Sequence, residues 1–471
     1  MAQTKTKIIF PSVRNFIALA NSVMMLCFNF VILLQNKNLS SKGSKFKILM
    51  RQDNFAEKNP QTESEKFFTK PLIIIFVTVF IDLLGFGIVI PALPYYVESE
   101  AFRATPFDIG LLFASYSLMQ FIFSPILGSL SDKYGRRPIL FFSLLGSALG
   151  YLFIGYALAL WMVFAGRIIA GITGGNLSTA QAYIADVTTR ENRAKGMGFF
   201  GATFGLGFIF GPAIGGILSR YGIEVPFLFA AVLSFANAIL LYFILPETVK
   251  KGSFEEAGKR KNRLAELFES LRDARFGTLT AIYFFLVTSF SIMTYAFVLY
   301  TIFRFGYSAE QNGYIFAFIG FLAVIFQGGF FNRLVHKFGE NSLTVVGCLM
   351  MTAAFFTIPY IAPDYGGLIG LLAVVAVMAI GNAIAAPALS SLASKISSEK
   401  EQGRALGVMQ SGASLARAIG PAVGGILLNN ALNQVDNTTI QRTFWTAAAI
   451  MIVAVLIAVY FARMEQGQAI A

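Results

Sequence analysis

Three ionisable side chains, Asp82, Arg167 and Arg417, stand within long apolar stretches of the chain. A charge at the centre of a lipid bilayer is expensive, so each is a functional hypothesis by default. Asp82 lies 11 residues beyond Pro71, about 16 Å along a helix and so near the middle of a ~30 Å hydrocarbon core. Arg167 stands at nearly the same depth of its own segment. An acid so placed can take up and release a proton, because a neighbouring cation favours its charged form and loss of water its neutral form. Movement of Asp82 between those surroundings, with Arg167 as the cation, would couple protonation to a conformational cycle. A static ion pair that only fixes packing is the alternative. Arg417 has no mid-segment acid in the second half of the chain to neutralise it. An anionic substrate group, water in a cavity and backbone carbonyls are its open partners. Pro421 cannot donate to the Arg417 carbonyl, so the helix is expected to bend there.

The elements that carry these charges are membrane spans. The 471 residues are 56% hydrophobic and only 13% charged, with 49 Phe, where a soluble domain carries about twice that charged fraction. Segments long enough to cross, at about 20 residues each, read at 71–97, 106–130, 138–157, 159–186, 196–219, 225–246, 277–303, 308–331, 342–361, 365–394, 404–430 and 442–463. Alternate loops collect the positive charge: Lys133, Arg136 and Arg137, then Arg190, Arg193 and Lys195, then the run from Lys250 to Arg275, then Arg333, Lys337, Lys395, Lys400 and Arg404. The other side offers Arg103, Arg220, Arg304 and Arg442. The rich side is expected to be cytoplasmic, with both ends of the twelve-helix unit inside the plasma (inner) membrane of a bacterium. The net charge of +12 follows this alternation and forms no single face for nucleic acid. Cys27 and Cys348 lie in separate apolar stretches and suggest no disulfide, and the lone His336 falls in a polar loop. With no zinc-ligand spacing, no Gly-x-Ser-x-Gly and no phosphate-cradling loop, no metal, cofactor or ATP-driven step is expected, and the chain does not read as an enzyme.

The organisation expected is an N-terminal extension over 1–66, a six-helix bundle over 67–248, a cytoplasmic linker over 249–276, a second bundle over 277–463 and a tail over 464–471. Residues 16–34 are apolar enough to span but are flanked by lysines and followed by no cleavage site. A dispensable extension, with Met50 as the working start, is preferred to a thirteenth helix. In the linker, Leu264, Leu267, Phe268 and Leu271 form an i, i+3, i+4, i+7 stripe, expected as an amphipathic helix on the membrane surface or a plain tether.

Two motifs show that the chain is built twice. Gly-Pro-Ala-Ile-Gly-Gly at 211–216 returns as Gly-Pro-Ala-Val-Gly-Gly at 420–425, and duplicated membrane halves are the architecture of secondary transporters. Gly207, Gly211 and Gly215 share one helix face, as do Gly412, Ala416, Gly420 and Gly424, so close interhelical contact is expected, sealing the cavity against proton leak. The loop at 128–138 carries Gly128, Asp132, Gly135, Arg136, Arg137 and Pro138. Asp132 and Arg136 are four apart and can pair, and Asp186 is available to the same cluster, so a latch that holds in one conformation and releases in another is expected. The alternative is a loop that fixes topology by positive charge alone. Aligning Gly135 with Gly339 sets His336 under Asp132, so the second loop is expected to keep little of the latch.

These residues resemble the major facilitator superfamily. The loop at 128–138 is similar to its signature between helices 2 and 3. Gly207, Gly211, Pro212, Gly215 and Gly216 look like the antiporter signature of the drug:proton branch, and Arg417, Gly420, Pro421, Gly424 and Gly425 stand at the second-half repeat. Helix 1 from Asp82 to Pro94 and helix 4 from Gly166 to Gly174 extend the likeness toward tetracycline-efflux-type transporters. The resemblance implies an all-α polytopic membrane protein with 12 transmembrane helices in two pseudo-symmetric six-helix bundles, exporting small amphipathic or drug-like compounds by proton-coupled antiport. Proton-coupled uptake, a passive facilitator and a non-transporting receptor on the same fold are the alternatives. Tetracycline exporters carry aspartates midway along helices 3 and 9, where this chain holds Gly150 and Met351, so a broader or different substrate is expected. Cavity candidates are Gln120, Asn176, Gln181, Tyr295, Tyr300, Gln327 and Asn382. The expected partners are a small-molecule substrate, protons and the lipid bilayer, with no nucleic acid. Two halves in one chain let a monomer suffice.

Overall fold

The computed structural model describes residues 68–189, 192–249, 274–396 and 402–470. The extension with residues 16–34 and Met50, and the linker stripe of Leu264, Leu267, Phe268 and Leu271, lie outside the described residues. Among the described residues, eleven apolar helical runs are long enough to cross a membrane, and one of them, 309–360, has 52 residues, more than twice the length a crossing needs. It is two helices meeting at Gly339, whose φ of 75° and ψ of 157° break the helical path in a region that favours glycine. The eleven runs therefore make twelve crossings. They are α1 (Lys70–Glu98), α2 (Pro106–Tyr134), α3 (Arg136–Gly155), α4 (Leu160–Val187), α5 (Arg193–Leu218), α6 (Val225–Ile244), α7 (Ala274–Phe305), α8 (309–338), α9 (340–357), α10 (Gly367–Ile396), α11 (Gln402–Leu428) and α12 (Asn437–Ile470). Apart from α8, which runs further at its C-terminal end, and α12, which runs longer at both ends, the helices fall within a few residues of the apolar segments.

Local chemistry starts and stops them. Thr105 and Asp108 exchange side-chain and backbone hydrogen bonds ahead of α2, with Pro106 at its first position, and Ser308 and Gln311 do the same ahead of α8. Asp436 and Thr439 form a similar exchange at α12, and Asn430 donates to the Asp436 carboxylate at 2.8 Å, which holds that carboxyl below its ordinary value. Gly135, at φ 105°, makes the reversal between α2 and α3.

The packing repeats after six helices. In the first half α1 packs on α5 and α6, α3 on α4 and α6, and α2 on α4. In the second half α7 packs on α11 and α12, α9 on α10 and α12, and α8 on α10. The halves meet where α2 packs on α11 and α8 on α5. Glycine makes both seams. A Cβ on Gly110 would lie 2.5 Å from the Pro421 carbonyl oxygen and 2.8 Å from the Gly425 Cα, and one on Gly313 would lie 2.6 Å from the Pro212 oxygen and 3.0 Å from the Gly216 Cα. The repeated hexapeptide therefore has two faces. Its last glycine touches the other half, while Gly211 packs on Gly87 of α1 and Gly420 on Ser291 of α7.

Both seams lie at the end opposite the Gly135 and Gly339 loops. Polar contacts tie the halves together there: Tyr95 donates to the Tyr307 carbonyl at 2.6 Å, Asn312 donates to the Tyr95 hydroxyl at 2.6 Å, Tyr295 donates to the Pro106 carbonyl, and Arg220 pairs with Glu310. Toward the loop end, Gly198, Gly201, Gly328, Gly329 and Gly407 have nothing within 4 Å of where a Cβ would stand. Among the described residues, the polar contacts between the halves gather at the end of the two seams.

Candidate functional site

A cavity of about 300 Å³ lies between the halves, walled by α1, α2, α4 and α5 on one side and α7, α10 and α11 on the other. Asp82, Arg167 and Arg417 all reach it, among aromatic rings that include Phe86, Phe113, Tyr116, Phe208, Tyr283 and Phe290. The duplication thus brings one charged residue of the second half face to face with two of the first.

Helix α4 sets the geometry around Asp82. Its α-helical path is interrupted by a 3-10 turn at Gly174–Asn176. Close backbone approach lets it lie on α2: a Cβ on Gly175 would sit 2.8 Å from the Ser124 nitrogen. Gln120 donates to the Gly174 carbonyl at 2.9 Å, holding the turn. The turn delivers Asn176, whose Nδ2 donates to Asp82 Oδ2 at 3.3 Å. Arg167, 1% exposed, turns elsewhere. Its Nε donates to the Leu112 carbonyl at 3.2 Å, its guanidinium lies 4.3 Å from the Tyr116 ring centroid, and its Nη1 is buried without a hydrogen-bond partner. Asp82 and Arg167 share the cavity wall and form no ion pair, so the static pair of the alternative reading is not present in this conformation. The partner of the acid is an amide, which can donate to a carboxylate or, turned over, accept from a carboxylic acid. An arginine could serve only the charged form.

Of the sequence's cavity candidates, Gln120, Tyr295 and Asn382 line the cavity and Asn176 stands behind Asp82. Gln181, Tyr300 and Gln327 do not line it. Tyr300 donates to the Ile361 carbonyl at 2.7 Å near the end of the two seams, and Gln327 is exposed within a π-helical turn, Ile325–Phe330. Membership of a span was legible, but the face each residue presents was not. Tyr116, Ser117, Tyr283, Ser291 and Thr294, which also line the wall, were missed for the same reason.

At the loop end Arg136 is 8% exposed and reaches Asp132 at 2.5 Å, Asp186 at 3.1 Å and Ser131 at 2.7 Å. Sequence reading missed Glu247, just beyond α6, whose carboxylate accepts from the backbone N–H groups of Arg136 and Arg137 at 3.0 Å each. It sits at the N-terminus of α3, where free N–H groups favour an anion. Arg137 stacks on Tyr242, 4.8 Å from the ring centroid. The described partners of Arg136 and Glu247 all belong to the first half.

The second half, whose loop was expected to keep little of the latch, holds an ion pair just beyond that loop. Glu340, directly after Gly339, pairs with Lys395 at the end of α10 and accepts from Ser391 at 3.1 Å. Glu340 corresponds to Arg136 and Lys395 to Asp186, with the signs exchanged. Glu340→Lys is expected to lower the melting temperature of the purified protein. Adding Lys395→Glu is expected to restore most of the loss, with a coupling of about 1 kcal/mol for a pair with one exposed partner. Equal melting losses in the double and single variants would show that the pair is not a unit.

One chain of two like halves, with twelve crossings among the described residues and a cavity between the halves, is a multi-pass membrane transporter and not an enzyme. Residues 75–375 and 365–469 match the model of the Major Facilitator Superfamily, and the chain belongs to that superfamily. It is 33% identical over 408 residues to the tetracycline resistance protein, class H, of Pasteurella multocida, covering 83% of this chain and 96% of that one. It is 28% identical to multidrug resistance protein 2 of Bacillus subtilis (strain 168), over 76% of this chain and 88% of that one. The crystal structure of the human organic anion transporter MFSD10 is similar with a TM-score of 0.62 and 26% identity, covering 83% of this chain and 99% of that chain.

Proposed function

We propose that the protein exports small amphipathic compounds, drug-like or metabolic, in exchange for protons, by alternating access in the inner membrane of a bacterium. The observation that carries this is Asp82, an acid midway along α1, on the cavity wall, partnered by an amide and, among the described residues, by no cation. Such a group can load and unload a proton without breaking an ion pair. Resistance proteins among the relatives support export. The positive charge of the loops supports a cytoplasmic position for the Gly135 and Gly339 end. The cavity then opens inward, in the state that collects cargo. Arg167, on the same wall, favours the ionised form of Asp82 when the cycle brings the two close, and the Arg136 network is a latch that holds the first half's cytoplasmic ends together in one conformation and releases them in the other. A monomer suffices.

The cargo differs from or extends beyond tetracycline. The two positions expected to carry aspartates in tetracycline exporters face away from the cavity. A Cβ on Gly150 would meet the Gly166 carbonyl oxygen at 2.7 Å, and Met351 is fully buried beside Gly381.

The test is reconstitution of the full chain in liposomes holding a pH-sensitive dye, with an imposed proton gradient and candidate amphipathic compounds added in turn. Exchange gives compound-dependent collapse of the gradient. Cargo movement without a pH response would mark a facilitator, and neither response would mark a receptor. Either result overturns the proposal.

A further inference from the structure

The charges on the cavity wall do not balance. Two arginines and one aspartate line it, and among the described residues no carboxylate lies within ion-pair distance of either arginine. Arg167 spends Nε on a carbonyl and its face on Tyr116, leaving Nη1 buried and unmatched. Arg417 donates from Nη2 to the Ser414 hydroxyl at 3.0 Å, and among the described residues its guanidinium forms no other hydrogen bond. A guanidinium carries five N–H donors in a planar fork, which fits a carboxylate, sulfonate or phosphate. Desolvating two such groups is costly unless an anion answers them. The rest of the wall is largely rings and aliphatic carbon, including Phe86, Phe113, Phe208 and Phe290.

We propose that the cargo is an amphipathic anion, its acidic head seated at Arg417 and within reach of the free Arg167 Nη1, its apolar body among the phenylalanines. This rests on the transport reading above and adds to it the charge of the substrate. Asp82 is held on the α4 side by Asn176, so proton and anion have separate seats. Coupling then comes from which loaded form can change conformation, not from competition for one charge. Moving an anion out and a proton in shifts charge in the same electrical sense twice, so an inside-negative potential drives both legs.

The test uses the purified full chain and three probes of one shape: 1-naphthoate, 1-naphthamide and 1-naphthylmethylammonium, with affinities measured by calorimetry. The carboxylate is expected to bind about tenfold or more tighter than the amide, the ratio carried by hydrogen bonds to a charged group. Arg417→Gln is expected to erase that advantage, and Arg417→Lys to keep part of it, since charge remains without the fork. Amide binding measured on the same samples shows that the variants are folded. Equal affinities for the three probes, including no measurable binding of any, overturn the proposal, as does a carboxylate advantage that survives Arg417→Gln. Naphthoate preference without proton coupling would sink the antiport reading and leave the anion seat standing. Coupled movement of only neutral or cationic compounds would do the reverse.

Discussion

Asp82→Asn is expected to reduce gradient-driven accumulation to that of protein-free liposomes while exchange of cargo for cargo continues. The substitution fixes the position in a shape close to the protonated acid, so the cavity still forms and the carrier can still reorient with cargo bound. What disappears is the step in which a proton is taken up on one side and given up on the other. The structure supplies the reason why the step is available to the wild type. Asn176 Nδ2 donates to Asp82, and the Asn176 Oδ1 is buried with no partner of its own. Turned over, the same amide can accept from a protonated Asp82, so neither form of the acid is left unpaired in a region where an unpaired polar group is costly. Transport by the variant is expected to lose the pH dependence that the wild type shows, because the group that titrates has gone. Accumulation that persists against the gradient in Asp82→Asn would end the scheme. Loss of cargo exchange as well would show damage to the cavity rather than to coupling, and Asp82→Glu, which restores the acid, would then be expected to fail too.

The second large effect is expected at the end of the two seams. Gly110→Leu places a side chain where the Pro421 carbonyl and the Gly425 backbone now stand. Backbone cannot be moved aside as the tip of a flexible side chain can. Overpacking costs about 1–3 kcal/mol, which is about a 5- to 150-fold shift in a two-state equilibrium. The shift favours the conformation in which α2 and α11 part, so the protein is expected to rest open toward the outside and to transport at least about fivefold more slowly. Spin labels at Arg103→Cys and Leu432→Cys, in the loops beside the seam, with Cys27 and Cys348 replaced, report the change as a longer distance between them. An unchanged distance with normal transport would mean that this seam does not part during the cycle. Gly313→Leu, which meets Pro212 and Gly216 across the other seam, is expected to act in the same direction.

Much of the fold was legible in the sequence because membrane spans are written in composition and length. The twelve apolar segments and the doubled glycine-proline motif specify two six-helix halves before any contact is known. The ionisable residues were legible for the same reason, since an Asp or Arg in a run of apolar residues stands out. Which way a residue faces was not. Tyr300 and Tyr295 lie five apart on α7, yet Tyr295 lines the cavity and Tyr300 closes on Ile361. Asp82 and Arg167 match in depth, but depth carries no information about azimuth, and their side chains turn to Asn176 and Tyr116 instead of each other. The second-half ion pair was available in principle. The alignment that sets Gly339 under Gly135 also sets Glu340 under Arg136, and a search for the same sign passes over a pair whose signs are exchanged. Glu247 was out of reach, since it follows α6 in sequence and its partners are backbone groups more than a hundred residues earlier.

The two faces of α5 and α11 have a consequence for how such a chain can change over generations. Gly216 and Gly425 must stay without side chains for the halves to meet, whereas Phe208 and Arg417 look onto the cavity from the same two helices. Replacements on the inner face can retune which molecules are accepted while the mating surface stays intact. Divergence in cargo among relatives therefore needs no redesign of the moving parts, and a shift in the range of molecules carried lies within reach of single-residue substitutions.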